Sequence, residues 1–159
     1  MHPNVARVVD AGRAAGLEIE VERFPHETRT AADAAQAVGC EVGQIVKSLV
    51  FVADEAPLLA LVSGANQVDL SRLASAVGAE RARRADGDEA RAATGFAIGG
   101  VPPFGHATQM TVVVDVALMA HDRVWAAAGL PDAVFPIAPT DLLRASRGRV
   151  SELAETGTA

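Results

Sequence analysis

Eight residues from Gly99 to His106 combine three glycines with two adjacent prolines. Glycine adopts positive φ and lets another backbone approach closely, whereas proline fixes φ and has no N–H group. The composition therefore predicts a stiff loop whose remaining amides point in fixed directions. Such preorganised amide donors are suited to binding a carbonyl oxygen or an oxyanion. The alternative is an ordinary connection between elements, which is the commoner meaning of loops rich in glycine and proline.

Lys47 is the second residue that could do chemistry. It lies within Gln44–Val52, a segment rich in β-forming residues and apolar on both faces if it is extended. An ammonium group is costly to bury without a partner, so Lys47 could be a functional cation. An inward lysine on an edge strand, or one whose tip reaches water, explains the pattern equally well.

Other reactive side chains carry weaker signals. Asp141 falls in the first turn of a predicted helix, where an acid usually serves the cap and the helix dipole. His26 and His106 lie in predicted loops and could titrate near neutral pH. Cys40, the one cysteine, has no neighbouring base or cation. The spacing of histidine and cysteine predicts no metal site, and neither a nucleophile elbow nor a dinucleotide fingerprint is present.

The elements that must position these residues alternate between helical and extended patterns. We predict helices at 3–15, 30–39, 69–77 and 88–94 and from Pro139 onward, a helical turn at 116–120, and strands at 17–22, 44–52, 58–62, 110–115, 124–127 and 133–137. Hairpins join strands as often as helices do, which favours an α+β fold with a mixed, curled sheet. We expect a single domain over residues 1–159, with 154–159 as a frayed tail.

Composition excludes several classes of protein. Half of the residues are hydrophobic, yet no apolar run reaches the ~20 residues of a membrane span. The first residues lack a signal-peptide pattern, and one cysteine allows no internal disulfide, so we expect a cytoplasmic protein that does not bind membranes. A net charge of −6 opposes broad wrapping of nucleic acid but permits grip on one nucleotide end. Arginines cluster at Arg81, Arg83, Arg84 and Arg91, which favours a solvated helix face.

Four motifs occur in a recognisable order. They are Gln44-Ile45-Val46-Lys47-Ser48-Leu49-Val50-Phe51, then Asp69-Leu70 with Leu73-Ala74, then Thr94-Gly95-Phe96 followed by Gly99 to Gly105, and finally Pro139 with Asp141-Leu142-Leu143. From about residue 4 to residue 153 the chain resembles the YbaK/EbsC family, the free-standing relatives of the editing domain inserted in bacterial prolyl-tRNA synthetases.

The resemblance implies a fold and an activity. The fold would be a mixed, mostly antiparallel, barrel-like sheet of about six or seven strands flanked by helices. The activity would be trans-editing, the hydrolysis of the ester that joins a wrong, small amino acid (alanine, serine, threonine or cysteine) to the 3′ end of a tRNA, without metal or cofactor. The partners would be the tRNA acceptor end and a synthetase, and the protein would be a monomer or a small homo-oligomer. A binding or regulatory module without catalysis is the main alternative, and hydrolysis of an unrelated small ester is a weaker one.

The resemblance also assigns residues. Lys47 matches the family's essential lysine, beside the terminal adenosine, where it would offer its charge to the phosphate or the ester. The family loop, whose backbone contacts the ester and places a water, matches Gly99, Gly100, Val101, Pro102 and Pro103, and a ribose hydroxyl of the tRNA could assist. The residues implied in substrate binding are Phe51, Phe104, His106, Ala127 and Asp141. Ala127 stands where cysteine-specific members carry a serine, and Pro102 and His106 also depart from many members.

Overall fold

The computed structural model describes residues 1–25 and 30–155. In these residues it has five α-helices and eight strands in two sheets, which confirms the predicted mixed α+β class. The helices are α1 (Pro3–Ala14), α2 (Ala31–Val38), α3 (Leu70–Ala76), α4 (Gly87–Thr94) and α5 (Pro139–Ser146), with short 3₁₀ turns at Val42–Gln44 and Val116–Ala120. The strands are β1 (Glu22–Arg23), β2 (Val46–Ala53), β3 (Ala56–Ser63), β4 (Ala82–Arg84), β5 (Thr111–Asp115), β6 (Val124–Ala127), β7 (Ala133–Ile137) and β8 (Arg149–Ser151).

The larger sheet has five strands in the order β4-β2-β3-β5-β8. Strands β2 and β3 form an antiparallel hairpin, whose two-residue turn places Asp54 and Glu55 at φ values of 46° and 73°. Such positive values match the turn to the twist of the flanking strands. The β3–β5 and β5–β8 pairs are parallel, whereas β4 pairs antiparallel with β2. The sheet is therefore mixed, as predicted.

The smaller sheet, β1-β7-β6, is antiparallel, and a bridge between Ile45 and Trp125 connects it to the segment that leads into β2. Strand β4 pairs only with Phe51–Ala53 of β2. Within the described residues, the β2 edge between the bridge and β4 thus has no strand beside it. We call this unpaired edge, residues 46–49, the β2 gap. It leaves the two sheets as an open structure in place of one closed barrel.

The two faces of β2 enter different parts of the core. Val46 and Val50 join the large cluster that contains Phe135 and Leu142, whereas Phe51 joins a second cluster beneath α3 with Leu73. This follows from the alternation of side chains along a strand. Within the β2 gap, Val46 packs in the first cluster and Leu49 packs against the second, so both faces of the gap contact apolar side chains.

Some elements differ from the sequence prediction. The alternating segment 17–21 forms no strand, because no strand of the described residues pairs with it before β1, although Leu17, Ile19 and Val21 still pack on the core. The arginines Arg83 and Arg84 lie on strand β4, not on a helix face. Ala154 and Glu155, at the start of the expected frayed tail, pair with Val68 and Gln67, and residues 156–159 lie outside the described residues. None of the helices in the described chain is long and apolar enough to cross a membrane.

Candidate functional site

A cavity of about 300 Å³ opens at the β2 gap, between the Gly/Pro loop and the smaller sheet. Its buried floor consists of apolar side chains, mostly small: Ala34, Ile45, Val46, Val50, Ala85, Ala90, Val101, Trp125, Ala126, Ala133 and Val134. Its more exposed rim includes Thr30, Lys47, Arg84, Ile98 and Gly99. Among the described residues, the lining thus holds two cations at the rim and no carboxylate.

The Gly/Pro loop is held against the turn that joins β6 to β7. Gly99 has φ +93°, and a Cβ atom on Gly100 would lie 2.9 Å from the carbonyl oxygen of Gly129. Only glycine permits this close approach of two backbones. The Gly100 amide donates to the carbonyl of Ala97 at 3.0 Å. Gly99 and Val101 line the cavity, while Gly100, Pro102 and Pro103 lie behind them.

Lys47 is tethered at the rim by a chain of hydrogen bonds. Its Nζ donates to the backbone oxygen of Asn66, and the Asn66 side-chain amide donates to the carboxylate of Asp115 at 3.0 Å. Asp115 is 1% exposed, and it also accepts from the backbone amides of Ser63 at 3.1 Å and Ala117 at 3.0 Å. Three donors fix the carboxylate, the carboxylate fixes Asn66, and Asn66 fixes the ammonium group.

The charge of Lys47 responds to its surroundings. Burial lowers the pKa of Lys47, the nearby Arg84 lowers it further, and Asp115 partly opposes them. The first effect is the cost of removing an ammonium group from water, and the other two are repulsion and attraction between charges. Lys47 is also the only lysine in the sequence, since the other thirteen basic residues are arginines.

Arg84 is the second rim cation. Its guanidinium lies 5.7 Å from the ring centroid of Phe51, within cation–π range. In the described part of the chain, no carboxylate pairs with Arg84. Its neighbour Arg83, by contrast, forms two hydrogen bonds of 2.8 and 2.7 Å with Glu89, which hold the pKa of Glu89 at about 2. Phe51 therefore supports Arg84 from the core and does not line the cavity.

The other residues implied in substrate binding are scattered. Ala127 lines the cavity. Phe104 packs on Phe135 with ring centroids 5.8 Å apart. His106 Nε2 lies 2.7 Å from the carbonyl oxygen of Pro102, and burial lowers the His106 pKa more than this contact raises it. Asp141 pairs with Arg144 at 3.4 Å on the surface. Phe104, His106 and Asp141 do not line the cavity, and His26 lies outside the described residues.

Sequence reasoning missed three residues of this region. Asp115 and Arg84 act on Lys47, as described above. The third is Ser48, whose Oγ atom is buried beside the cavity without a hydrogen-bond partner among the described residues. A sequence signal existed for two of them: Asp115 ends an apolar strand, and Ser48 shares a strand face with Val46 and Val50.

The site offers no centre for metal or thiol chemistry. Among the described residues, no three histidine, cysteine or acidic side chains lie close enough together to hold a metal ion. Burial, with a smaller effect from Glu41, raises the pKa of the Cys40 thiol, which disfavours the reactive thiolate. The polar groups that line the cavity among the described residues include Lys47 and Arg84.

Comparisons with known proteins agree on one family. The family model described as "Aminoacyl-tRNA editing domain" matches residues 25–145. A solved structure described as "a putative trans-editing enzyme for prolyl tRNA synthetase" superimposes with a TM-score of 0.92 at 46% identity, covering 98% of this chain and 99% of that one.

Two curated relatives carry deacylase names. The "Putative Cys-tRNA(Pro)/Cys-tRNA(Cys) deacylase EbsC" of Enterococcus faecalis is 26% identical over 94% of this chain and 92% of its own length. The "Multifunctional Ser/Thr-tRNA deacylase ProXp-y" of Escherichia coli K12 is 30% identical over 74% of each chain. The match over most of the chain confirms the resemblance seen in the sequence motifs, and this chain belongs to the aminoacyl-tRNA editing domain family.

Proposed function

We propose that this chain is a trans-editing aminoacyl-tRNA deacylase, which hydrolyses the ester between a small, wrong amino acid and the 3′ end of a tRNA. The observation that carries the proposal is the division of the cavity into a floor of small apolar side chains and a rim with two cations. An aminoacyl-tRNA end is divided in the same way, because a small amino acid side chain lies on one side of the ester and a phosphodiester lies on the other.

The division predicts how the substrate lies. The amino acid side chain points to the floor, and the terminal nucleotide lies at the rim. Lys47 and Arg84 then contact the phosphate, because both are cations and Arg84 has no carboxylate partner within the described residues. Hydrogen bonds between a cation and a phosphate are roughly twice as strong as neutral ones. The net charge of −6 does not oppose this grip, because only the acceptor end is bound.

The chemistry needs few protein groups. A water attacks the ester carbonyl carbon, and the C–O bond to the ribose breaks. One proton of the water goes to the departing ribose oxygen, the other is released to solvent, and the amino acid departs as a carboxylate. The Gly100 amide is bound to Ala97, which leaves the amides of Gly99 and Val101 as the loop donors for the oxyanion. The neighbouring ribose hydroxyl can guide the water, which accounts for a site without a serine–histidine–aspartate set.

The floor also explains which amino acids are accepted. Ala126 and Ala133 are buried, and they leave room for a small side chain at the floor. An editing site acts as a second sieve when its amino acid pocket admits the small wrong substrate and excludes the correct one. Alanine, serine, threonine and cysteine are the small amino acids that we expect this floor to admit.

A second candidate function is a binding module that recognises aminoacyl ends without hydrolysing them. The observation that favours it is Ala127 at the cavity, where cysteine-specific members carry a serine. Such a module would bind non-hydrolysable aminoacyl-adenosine analogues saturably and leave every charged tRNA intact.

One experiment separates the two candidates. The purified protein, Lys47→Ala and Gly99→Ala are each incubated with one tRNA body charged with alanine, serine, threonine, cysteine or proline. We expect hydrolysis of at least one small ester and not of prolyl-tRNA, with activity lost in both variants while circular dichroism shows an unchanged fold. Hydrolysis by Lys47→Ala at the wild-type rate would refute the site, and a panel without hydrolysis would favour the binding module.

A further inference from the structure

One edge of strand β6 faces the β2 gap. The amide of Ala128, directly after β6, donates to the carbonyl of Ala133 in β7. Peptide groups of neighbouring residues turn to opposite sides of a strand, so the N–H and C=O of Ala127 point away from β7. Trp125, two residues earlier, bridges Ile45 from this same edge. In the described chain no strand pairs with Ala127 on that side.

The edge of β2 that faces Ala127 is also unpaired. The carbonyl of Val50 accepts from the amide of Ala85, on the side of β2 that faces β4. Peptide groups turn to the same side of a strand at every second residue, so the N–H and C=O of Ser48 point to that side as well. No strand pairs with Ser48 there within the described residues.

The two edges form a wedge that opens into the cavity. The bridge between Ile45 and Trp125 joins the edges at one end, and beyond it Ser48 and Ala127 line the cavity, one from each strand. Both residues are partly exposed, and because the Ser48 Oγ atom is buried, the surface that Ser48 offers comes from its other atoms. Backbone carbonyls are strong acceptors that native structures seldom leave without a partner. We call the carbonyl groups of Ser48 and Ala127 the wedge carbonyls.

The chemistry of the lining selects the group that binds at the wedge. Carbonyl oxygens only accept hydrogen bonds, so their partner must be a donor. Among the residues that the structure describes, the lining carries no carboxylate, so a cation that enters the cavity meets only uncharged acceptors. The aminoacyl ester brings such a cation, the α-ammonium group, on the carbon next to the ester carbonyl. The amides of Gly99 and Val101 serve the ester oxygen, so donors and acceptors of the lining match those of the substrate.

We infer that the wedge carbonyls bind the α-ammonium group of the aminoacyl ester, so that the site requires a free, charged α-amino group on its substrate. This inference rests on the proposed function. An ammonium group has three N–H donors, enough for both carbonyls, and hydrogen bonds to charged groups contribute more than neutral ones. Lys47 and Arg84 repel a third cation, and the substrate phosphate that we place beside them offsets this repulsion. The wedge then distinguishes aminoacyl-tRNA from peptidyl-tRNA, in which the same nitrogen is an uncharged amide.

The first test replaces the α-ammonium group of the substrate by a hydroxyl group. For each small ester hydrolysed in the tRNA panel, kcat/KM is measured for the aminoacyl-tRNA and for its α-hydroxy counterpart, which is lactyl-tRNA in the case of alanyl-tRNA. The measurements are made at about pH 6, where an α-amino group is protonated. Each value is divided by the rate of spontaneous hydrolysis of the same ester, because the ammonium group also activates the ester. We expect the corrected value to be at least about tenfold higher for the aminoacyl ester.

The second test weakens one wedge carbonyl in the protein. Stop-codon suppression with leucic acid in place of Leu49 turns the peptide bond after Ser48 into an ester, whose carbonyl oxygen is a weaker acceptor. The matched control is phenyllactic acid in place of Phe51, which weakens the Val50 carbonyl that is already bound to the Ala85 amide. Both exchanges remove one N–H that points to β3, because the two positions lie on the same side of β2. We expect the ratio of aminoacyl to hydroxyacyl hydrolysis to fall in the Leu49 variant and to keep its wild-type value in the control.

The outcomes are distinguishable. A corrected ratio near one in the wild type overturns the inference and leaves the proposed function standing. An unchanged ratio in the Leu49 variant, or an equal fall in the Phe51 control, removes the ammonium group from the wedge and overturns the inference as well. Absence of hydrolysis for every aminoacyl ester of the panel overturns the proposed function itself.

Discussion

The contact between the Gly/Pro loop and the β6–β7 turn permits a sharp test by one added methyl group. Gly100→Ala places a Cβ atom 2.9 Å from the Gly129 oxygen and 3.0 Å from Leu130 Cα. Both neighbours are backbone atoms, so no side chain can rotate away. The φ angle of Gly100 is not positive, so the effect is steric and not conformational.

The size of the effect follows from these distances. Ordinary van der Waals contact begins at 3.4 Å, so the loop or the turn must move by about 0.5 Å. Overpacking of this kind costs about 1–3 kcal/mol, less than the 5–15 kcal/mol that typically stabilises a domain. A misplacement of about 1 Å can cost about 100-fold in rate, so a misplacement of about 0.5 Å predicts a loss of about tenfold in kcat.

The assay measures urea unfolding and single-turnover deacylation on the same preparations. Gly87→Ala is the matched control, because its Cβ would meet only Ile98 Cδ1 at 3.9 Å and its φ is not positive. That control is expected to keep both wild-type stability and wild-type rate.

Two results would refute the reasoning. If Gly100→Ala had the stability and rate of the wild type, the loop would not be held by the β6–β7 turn. If stability fell but the rate did not, the contact would be structural only, and the loop amides would not act on the ester.

The remaining predictions concern the rim. If Lys47 acts as a cation, activity falls at alkaline pH as Lys47 loses its proton. Arg84→Gln removes a neighbour that lowers the Lys47 pKa, so this alkaline decline in activity moves to higher pH. Asp115→Asn removes the group that raises the Lys47 pKa, so the decline moves to lower pH. The pH profile of kcat, corrected for spontaneous hydrolysis, checks both shifts. An alkaline decline at the same pH in the wild type and both variants would contradict them. Arg84→Gln also lowers the slope of log kcat/KM against log salt by about one, as expected for one lost phosphate contact, while Arg83→Gln, whose parent side chain is bound to Glu89, does not.

Local sequence chemistry predicted the parts of the site but not their assembly. Lys47 in an apolar strand and the Gly/Pro loop were both recognisable, because burial of a charge and clustering of glycine with proline are local properties. Which loop residues face the cavity depends on the contact between Gly100 and Gly129, which are 29 positions apart in the chain. Only Gly99 and Val101 of the five loop residues reach the lining.

The arginines illustrate a second limit. Residues 82–84 are too short for a periodic pattern, and pairing with Phe51–Ala53 makes them a strand. On this strand Arg83 contacts Glu89 and Arg84 lies at the rim of the cavity. The run of arginines in the sequence does not show that the two side chains have different surroundings. Segment 17–21 is the opposite case. Its residues alternate between apolar and polar as in a strand, but no strand of the described residues pairs with them.

The single lysine makes the candidate active centre separately observable. Reductive methylation with ¹³C-formaldehyde modifies amines only, so the side-chain signal in an NMR spectrum would come from Lys47 alone, apart from the terminal amine. The dimethylated amine keeps its charge and one N–H, and that N–H can still donate to the Asn66 oxygen. One resonance would then report the titration, the tRNA contact and the loss of the Asp115 tether, each in the intact protein and without any substitution at the lysine itself.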